Sequence, residues 1–319
     1  MIDAINYINN KLDIAFPYLY SKYIWFTTSC FLLMVTLMTF STPFNDVLRE
    51  DAYYYLIKGF EIAQGNWIPM HSHSIGWSIV LAAFLKVFGI RSIFDGMILS
   101  RVLSILIMGL SIFPFSGLAN KLTDKKSSIV AVFAFALSPI LIRTGGLEYS
   151  GYSEPLFILL VISTVYYLAD SANKSHRIVI ATILAGFSNY VRPNGIFMLG
   201  VVLLYLVWLL WYKKANLSRS FLLLVPFLFF LVSLPDLYMR YKSYGSAFDF
   251  GKNSQYFADF NTQASLKGTL NPSFINYLRT HKIDDYFRKF IYHGLFKVAN
   301  QFYITTGGGL VGLIFPWRH

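Results

Sequence analysis

An all-α polytopic membrane protein, with about eight transmembrane helices and a long first external loop, is the fold class this sequence predicts, and three observations predict it. Of 319 residues, 55% are hydrophobic and only 13% are charged, against roughly 25% charged in a soluble domain. Apolar runs approaching the ~20 residues needed to cross a ~30 Å hydrocarbon core recur along the chain. The basic residues sit between those runs, where topology determinants belong.

The expected spans are 24–42, 98–117, 127–142, 155–170, 178–191, 194–212, 220–238 and 300–317. The run 74–88 is ambiguous, because it is short, holds Lys86 and is bracketed by Gly76 and Gly89. It either crosses the bilayer or lies in its interface. Charge arbitrates. With 74–88 left out of the count and the N-terminus cytoplasmic, the cytoplasmic loops hold Lys121, Lys125 and Lys126, then Lys174 and Arg177, then Lys213, Lys214 and Arg219. Each is basic, as the positive-inside rule requires. Counting 74–88 as a span moves all three outside. The run is therefore read as an interfacial helix inside an external loop, 43–97. Residues 239–299 mix Gly, Asn, Ser and Tyr with charges of both signs and read as an external loop or cap of a single transmembrane domain, 1–319. The ending Trp317-Arg318-His319 is expected to mark a C-terminally truncated chain.

Several function classes are excluded at this point. The formal charge of +11 invites a nucleic-acid partner, but that reading needs cations gathered on one exposed face. They alternate with apolar runs instead, so no nucleic acid is expected. The single cysteine, Cys30, lies inside an apolar run and permits neither an intramolecular disulfide nor a thiolate metal cage. Residues 1–23 carry Asp3, Lys11, Asp13 and Lys22 with no small-residue cleavage site and do not read as a signal peptide. No phosphate-binding Gly-Lys-Ser or Gly-Lys-Thr loop and no dinucleotide fingerprint is present. Gly307-Gly308-Gly309 falls in an apolar stretch and suits helix packing.

The unusual polar residues gather on the external side, in four clusters. The first loop opens Arg49-Glu50-Asp51-Ala52-Tyr53-Tyr54-Tyr55. A carboxylate at the bilayer edge, partly desolvated, suits a general base; alternatively Glu50 and Asp51 form the negative first turn of a juxtamembrane helix. His71 and His73, in Met70-His71-Ser72-His73, lack carboxylates at a helical spacing and read as hydrogen-bond donors to a phosphate or sugar, or as a solvated loop, rather than as zinc ligands. A divalent ion at the carboxylates stays open; no other cofactor is implied. Glu148 and Glu154 lie in a loop between two spans, with Ser153-Glu154-Pro155 expected to start a helix with serine as N-cap. Arg192, in Tyr190-Val191-Arg192-Pro193-Asn194-Gly195, sits at a polar break where its planar fork either holds a lipid phosphate or snorkels to ordinary headgroups. Arg240 and Lys242 offer further cations.

The order of these features resembles the membrane glycosyltransferases of the GT-C fold, in the branch of protein O-mannosyltransferases and lipid A aminoarabinose transferases. The resemblance runs over about residues 46–244 and rests on Asp51-Ala52-Tyr53-Tyr54-Tyr55, Gly65-Asn66-Trp67, the His73 to Phe88 segment before Gly89, Arg101, Ser138-Pro139, Ser153-Glu154-Pro155-Leu156 and Arg192-Pro193-Asn194-Gly195. It implies a polyprenyl-phosphate sugar as donor, membrane lipids as surroundings, and a glycan, lipid or protein as acceptor. It implies Asp51 as catalytic base, His73 near the donor phosphate, Glu154 as a second acidic position at the site rim and Arg192 as a lipid-phosphate contact; from the residues themselves, Glu50 joins Asp51 as a catalytic carboxylate, Glu148 joins Glu154 on the acceptor side, and Arg240 and Lys242 join the donor-phosphate contacts. By the same reading of the clusters, His71 and Tyr54 line the substrate. The site would face outward from the plasma or inner membrane, or the lumen of the ER membrane. The chain departs from many such relatives in having Glu50-Asp51 and His73 where they carry paired acids or a lysine. The rival class is a glycolipid transporter or flippase, and a third is a non-catalytic assembly partner; ionisable residues inside the spans would favour the transporter.

Overall fold

A computed structural model describes residues 23–36, 50–67, 73–138, 141–142, 151–171, 174–213, 217–244, 247, 282–292 and 295–296. Among them the chain is helical, with no strand. The helices are α1 (Tyr23–Thr36), α2 (Glu50–Ala63), α3 (Gly76–Val87), α4 (Ile93–Leu110), α5 (Ile112–Leu122), α6 (Lys125–Ala136), α7 (Glu154–Ala169), α8 (Ser175–Val191), α9 (Ile196–Val207), α10 (Phe221–Tyr244) and the short α11 (Ile283–Tyr286). A 3-10 turn, Pro193–Gly195, precedes α9, and a π turn, Trp208–Tyr212, extends it. The chain divides into two compact units, the first made of residues 1–67, 75–137 and 141–234, the second of 68–74, 138–140 and 235–319.

Among the described residues, three stretches are long and apolar enough to cross a membrane: Ile93–Leu122, Pro193–Tyr212 and Phe221–Lys242. The expectation of about eight spans is thus coarser in the structure. Tyr23–Thr36 and Glu154–Ala169 are apolar but shorter. The run 127–142 gives a helix that stops at Ala136, with Leu137 as C-cap; Ser138-Pro139 comes next, and the residue before a proline is pushed away from helical backbone. The run 300–317 lies outside the described residues. In the other direction, the first long span begins at Ile93, inside the stretch read as external loop, and continues through α5. Its break at Ser111 has a local cause. Pro114 has no N–H for the Leu110 carbonyl, and Ser111 closes the turn by donating its hydroxyl to the Met108 carbonyl at 2.5 Å.

In the first unit, α7 packs along α8, α8 along α9, and α4, α5 along α7. Small residues set the approach. A Cβ on Gly186 would stand 2.8 Å from Val232 Cβ, and one on Gly117 would stand 2.6 Å from the Tyr166 ring. Leu168, Ile178, Ala185, Val202, Leu206, Val225 and Phe229 form one buried cluster across these helices; Phe31, Val35, Met108, Ile112 and Val132 form another. The outer faces stay apolar: Phe197, Leu204, Leu223 and Phe227 are exposed, which is costly in water and suits lipid.

The levels of the helices are set by the bonds between them. Asp170, just past α7, pairs with Lys121 at the end of α5 at 3.2 Å, while Gly151, just before α7, is bonded to Ser104 of α4. The first turns of α4 therefore project beyond the start of α7. There they meet α2, where a Cβ on Gly96 would stand 3.0 Å from Leu56 Cδ1 and 2.9 Å from the Phe60 ring. The helices α2 and α3 pack on this overhang and on each other.

Gly195 is the tightest point, since a Cβ there would lie 2.1 Å from the Asn189 amide nitrogen, whereas one on Gly200 would meet nothing within 4 Å. Gly195→Ala is expected to destabilise the detergent-solubilised chain by about 1–3 kcal/mol, and Gly200→Ala to leave it unchanged or raise its stability by up to ~1 kcal/mol. Thermal unfolding of the two variants side by side checks this; equal melting temperatures would contradict the packing at Gly195.

Candidate functional site

Gly151 fixes how the chain enters α7. It adopts a φ of 90°, open to glycine without strain. Its N–H donates to Ser104 Oγ at 2.9 Å, and its carbonyl accepts from the Trp77 indole N–H at 2.7 Å and from Ser100 Oγ at 3.5 Å. Trp77, Ser100 and Ser104 are all buried. Leaving either peptide group unpaired in such surroundings would cost about 1–3 kcal/mol. The start of α7 is thereby tied to α3 and α4.

Two residues further on, Ser153 occupies the N-cap position of α7, with Pro155 in the first turn. The expected side-chain cap is not made. Its backbone is helical (φ −77°, ψ −11°) rather than extended as a capping serine needs, and its hydroxyl instead donates to the Tyr55 hydroxyl at 3.1 Å. The helix still begins here because the Ser153 carbonyl accepts from the Phe157 N–H at 3.0 Å.

The Tyr55 phenol is the centre of the arrangement. It projects from α2 and is buried. Burial pushes its pKa up to about 12; the Ser153 hydrogen bond and the Arg192 charge pull the other way, while Glu154 and Asp51 add to the rise. Asp51, one helical turn before Tyr55, is half-buried. The Glu154 carboxylate Oε1 accepts from Arg192 Nη1 in an ion pair; its Oε2 is buried without a hydrogen-bond partner among the described residues. Arg192 stands on extended backbone between α8 and the 3-10 turn, its guanidinium 6.0 Å from the centre of the Phe157 ring. It is 28% exposed.

The structure thus brings Asp51, Glu154 and Arg192 together around Tyr55, all within the first unit. Tyr54 is exposed. Glu50 is the first residue of α2, and its side chain lies outside the described residues, as do His71 and Glu148 entirely. In the second unit, Arg240 donates from Nη2 to the His73 carbonyl and from Nε to Asp236 Oδ2 at 2.9 Å. Arg240 and Asp236 are fully buried, so this guanidinium turns inward to protein partners, and His73 enters through its backbone. Lys242 is exposed. No three His, Cys, Asp or Glu residues gather as a metal site among the described residues.

Sequence reasoning misses two participants and gives a third a different bond. Asp236 interrupts an apolar run four residues before Arg240, the spacing of an intrahelical ion pair. Tyr55 comes after Asp51 by the same interval. Ser153 was assigned to the wrong bond. The first two signals were present in the spacing.

A phenol with a pKa near 12 in the folded chain and near 10 when exposed contributes stability that is present below pH 10 and lost as pH rises through about 12. Tyr55→Phe is expected to remove that segment of alkaline destabilisation, measured as the difference between wild-type and variant melting temperatures from pH 9 to 12. Parallel curves would deny the burial of the phenol. No protein-family model matches the chain and no curated protein matches it, so its own residues carry the functional reading.

Proposed function

We propose that the protein is a membrane glycosyltransferase that moves a sugar, a mannose-like hexose or a modified sugar, from a polyprenyl phosphate to an external lipid, glycan or protein acceptor. The observation that carries this reading is the gathering of Asp51, Glu154 and Arg192, from three separate elements, around one buried phenol. Carboxylates beside a guanidinium suit inverting transfer. Asp51 takes the proton of the acceptor hydroxyl as its oxygen bonds to the anomeric carbon, the bond from that carbon to the phosphate oxygen breaks, and Arg192 stabilises the charge on the departing phosphate. Nη1 of Arg192 is held by Glu154, which orients the fork and leaves its remaining N–H groups for a ligand.

A GT-C-like arrangement accommodates the helices. The 30-residue stretch α4–α5 is about 45 Å long, close to a bilayer with its headgroups at ~40–45 Å. Lys121, Lys174 and Arg177 then mark the cytoplasmic end, and the Tyr55 site, level with Ser104, lies about 25 Å from Lys121 along α4–α5, in the external half. The helices α6, α7 and α8, with 12, 16 and 17 residues, are short spans that need snorkelling ends or local thinning. The helices α2 and α3, on the overhang of α4, take the place of interfacial helices in the first external loop. One observation favours the transporter instead: Asp236 and Arg240 form a buried ion pair within a stretch long enough to span.

Incubating the purified chain with radiolabelled polyprenyl-phosphate sugars and candidate acceptors is expected to release polyprenyl phosphate, and Asp51→Asn to slow that release by about 10²–10⁴-fold at unchanged protein abundance. Unaltered turnover removes Asp51 from the mechanism. No release with any donor, together with movement of the intact glycolipid across reconstituted vesicles, supports the transporter.

Sidedness is testable separately. In a Cys30→Ser background, a membrane-impermeant maleimide is expected to label Asn194→Cys on intact cells but Lys174→Cys only after permeabilisation, since the two flank α8. Labelling of both from one side would overturn the orientation.

A further inference from the structure

The helices α2 and α3 run side by side in the same direction. Ser78 Oγ donates to the Tyr55 carbonyl at 3.0 Å, and one turn later a Cβ on Gly59 would stand 3.1 Å from Leu81 Cβ and 3.5 Å from Leu85 Cδ1. Both helices therefore end at the same place, the end away from the Tyr55 site. A cavity of about 410 Å³ opens there, within the roughly 300–1,000 Å³ range of small-molecule sites. Its apolar wall includes Phe60, Leu85 and Ile90, and its polar groups are Gln64, Lys86 and Arg91. No carboxylate lines it.

The two cations are brought together by a turn. Gly89 takes a φ of 64°, and the Ile90 N–H closes back on the Leu85 carbonyl at 2.9 Å, so the chain doubles back and Arg91 joins Lys86 at the cavity. Neither makes an ion pair among the described residues. Next to these residues in sequence, Phe84 and Phe88 stack at 6.1 Å, and Val87 and Phe94 are exposed. Depth agrees with chemistry. Lys121 and Arg91 stand near opposite ends of the ~45 Å stretch α4–α5, so a bilayer that holds Lys121 in one headgroup layer holds Arg91 in the other.

We propose that Lys86 and Arg91 hold the phosphate of an anionic membrane phospholipid whose glycerol and first acyl carbons lie in the cleft between the ends of α2 and α3. Paired cations recognise the phosphate, and the apolar wall of Phe60, Leu85 and Ile90 recognises the glycerol and acyl carbons, which a free phosphate lacks. The inference rests on the membrane placement in the proposed function and is independent of the transfer reaction. Lys86 in the last turn of α3 also complements the helix C-terminus, but that role is indifferent to lipid headgroup. Headgroup preference is therefore the readout.

The test uses the full chain in Cys30→Ser background with an environment-sensitive fluorophore on Asn66→Cys, titrated in detergent with short-chain phosphatidylglycerol or phosphatidylcholine. Tighter binding of phosphatidylglycerol is expected, with its preference falling about fivefold for each cation removed in Lys86→Gln and Arg91→Gln, and retained in Lys86→Arg with Arg91→Lys, which shows that the site survives substitution. Unchanged preference in the double Gln variant overturns the proposal. So does an equal response to inorganic phosphate, which assigns the site to a free anion. Failure of the transfer assay leaves this outcome untouched.

Discussion

The peptide groups of Gly151 are the constraint on which the rest of the site depends. An apolar interior offers no water to a backbone N–H or carbonyl, so each must find a protein partner. Gly151 finds its partners on two other helices, the Trp77 indole of α3 and the serines of α4. Those bonds set where α7 starts, hence where Ser153 meets Tyr55 and where Glu154 meets Arg192. A site assembled from residues up to about 140 positions apart is thus held by bonds to the Gly151 backbone as well as by the Ser153–Tyr55 and Glu154–Arg192 side-chain contacts.

The same economy of polar groups shapes the helices around it. Ser104, Thr164 and Thr182 return their hydroxyls to carbonyls of their own helix four residues back, at 2.8–2.9 Å. Such side chains are satisfied locally and stay small, so neighbouring helices approach closely, as at Gly186 and at Gly76, where a Cβ would lie 2.6 Å from the Tyr190 carbonyl oxygen. Between apolar helices in lipid, close approach replaces the hydrophobic drive that a water-soluble core enjoys. The contact between Gly76 and the end of α8 also brings the first turn of α3 to the helix that delivers Arg192.

Much of this was legible in the residues, and the limits have physical causes. The polar break at Arg192-Pro193-Asn194-Gly195 and the helix start at Glu154 come from backbone rules, and both lie where the rules put them. The start of α4 at Ile93 was hidden because hydropathy reports what is apolar, not what is helical, and Arg91-Ser92 and Asp95 mask five helical residues. The hydroxyl of Ser153 was misassigned because capping is inferred from local spacing, while its partner Tyr55 is 98 residues away. Asp236 was passed over because an aspartate near the end of an apolar run resembles an interfacial residue; only its burial against Arg240 shows that it is not. Convergence of Asp51, Glu154 and Arg192 is a statement about packing that no single segment contains.

Electrostatics divides the two ends of α7. At one end Asp170 faces Lys121, Lys174 and Arg177; burial disfavours its charge, but the three cations outweigh burial and hold its carboxyl below the usual range. At the other end the ratio inverts among the described residues, with Asp51 and Glu154 near Arg192. A helix with surplus positive charge at one terminus and surplus negative charge at the other carries the asymmetry on which the positive-inside bias acts, and the proposed orientation, carboxylates outward, rests on it. Tyr55 completes that end without adding to its charge. With its ionisation moved to about 12, the phenol is a neutral hydroxyl at any physiological pH. It sits among two carboxylates and a guanidinium and leaves the negative surplus at that end of α7 intact.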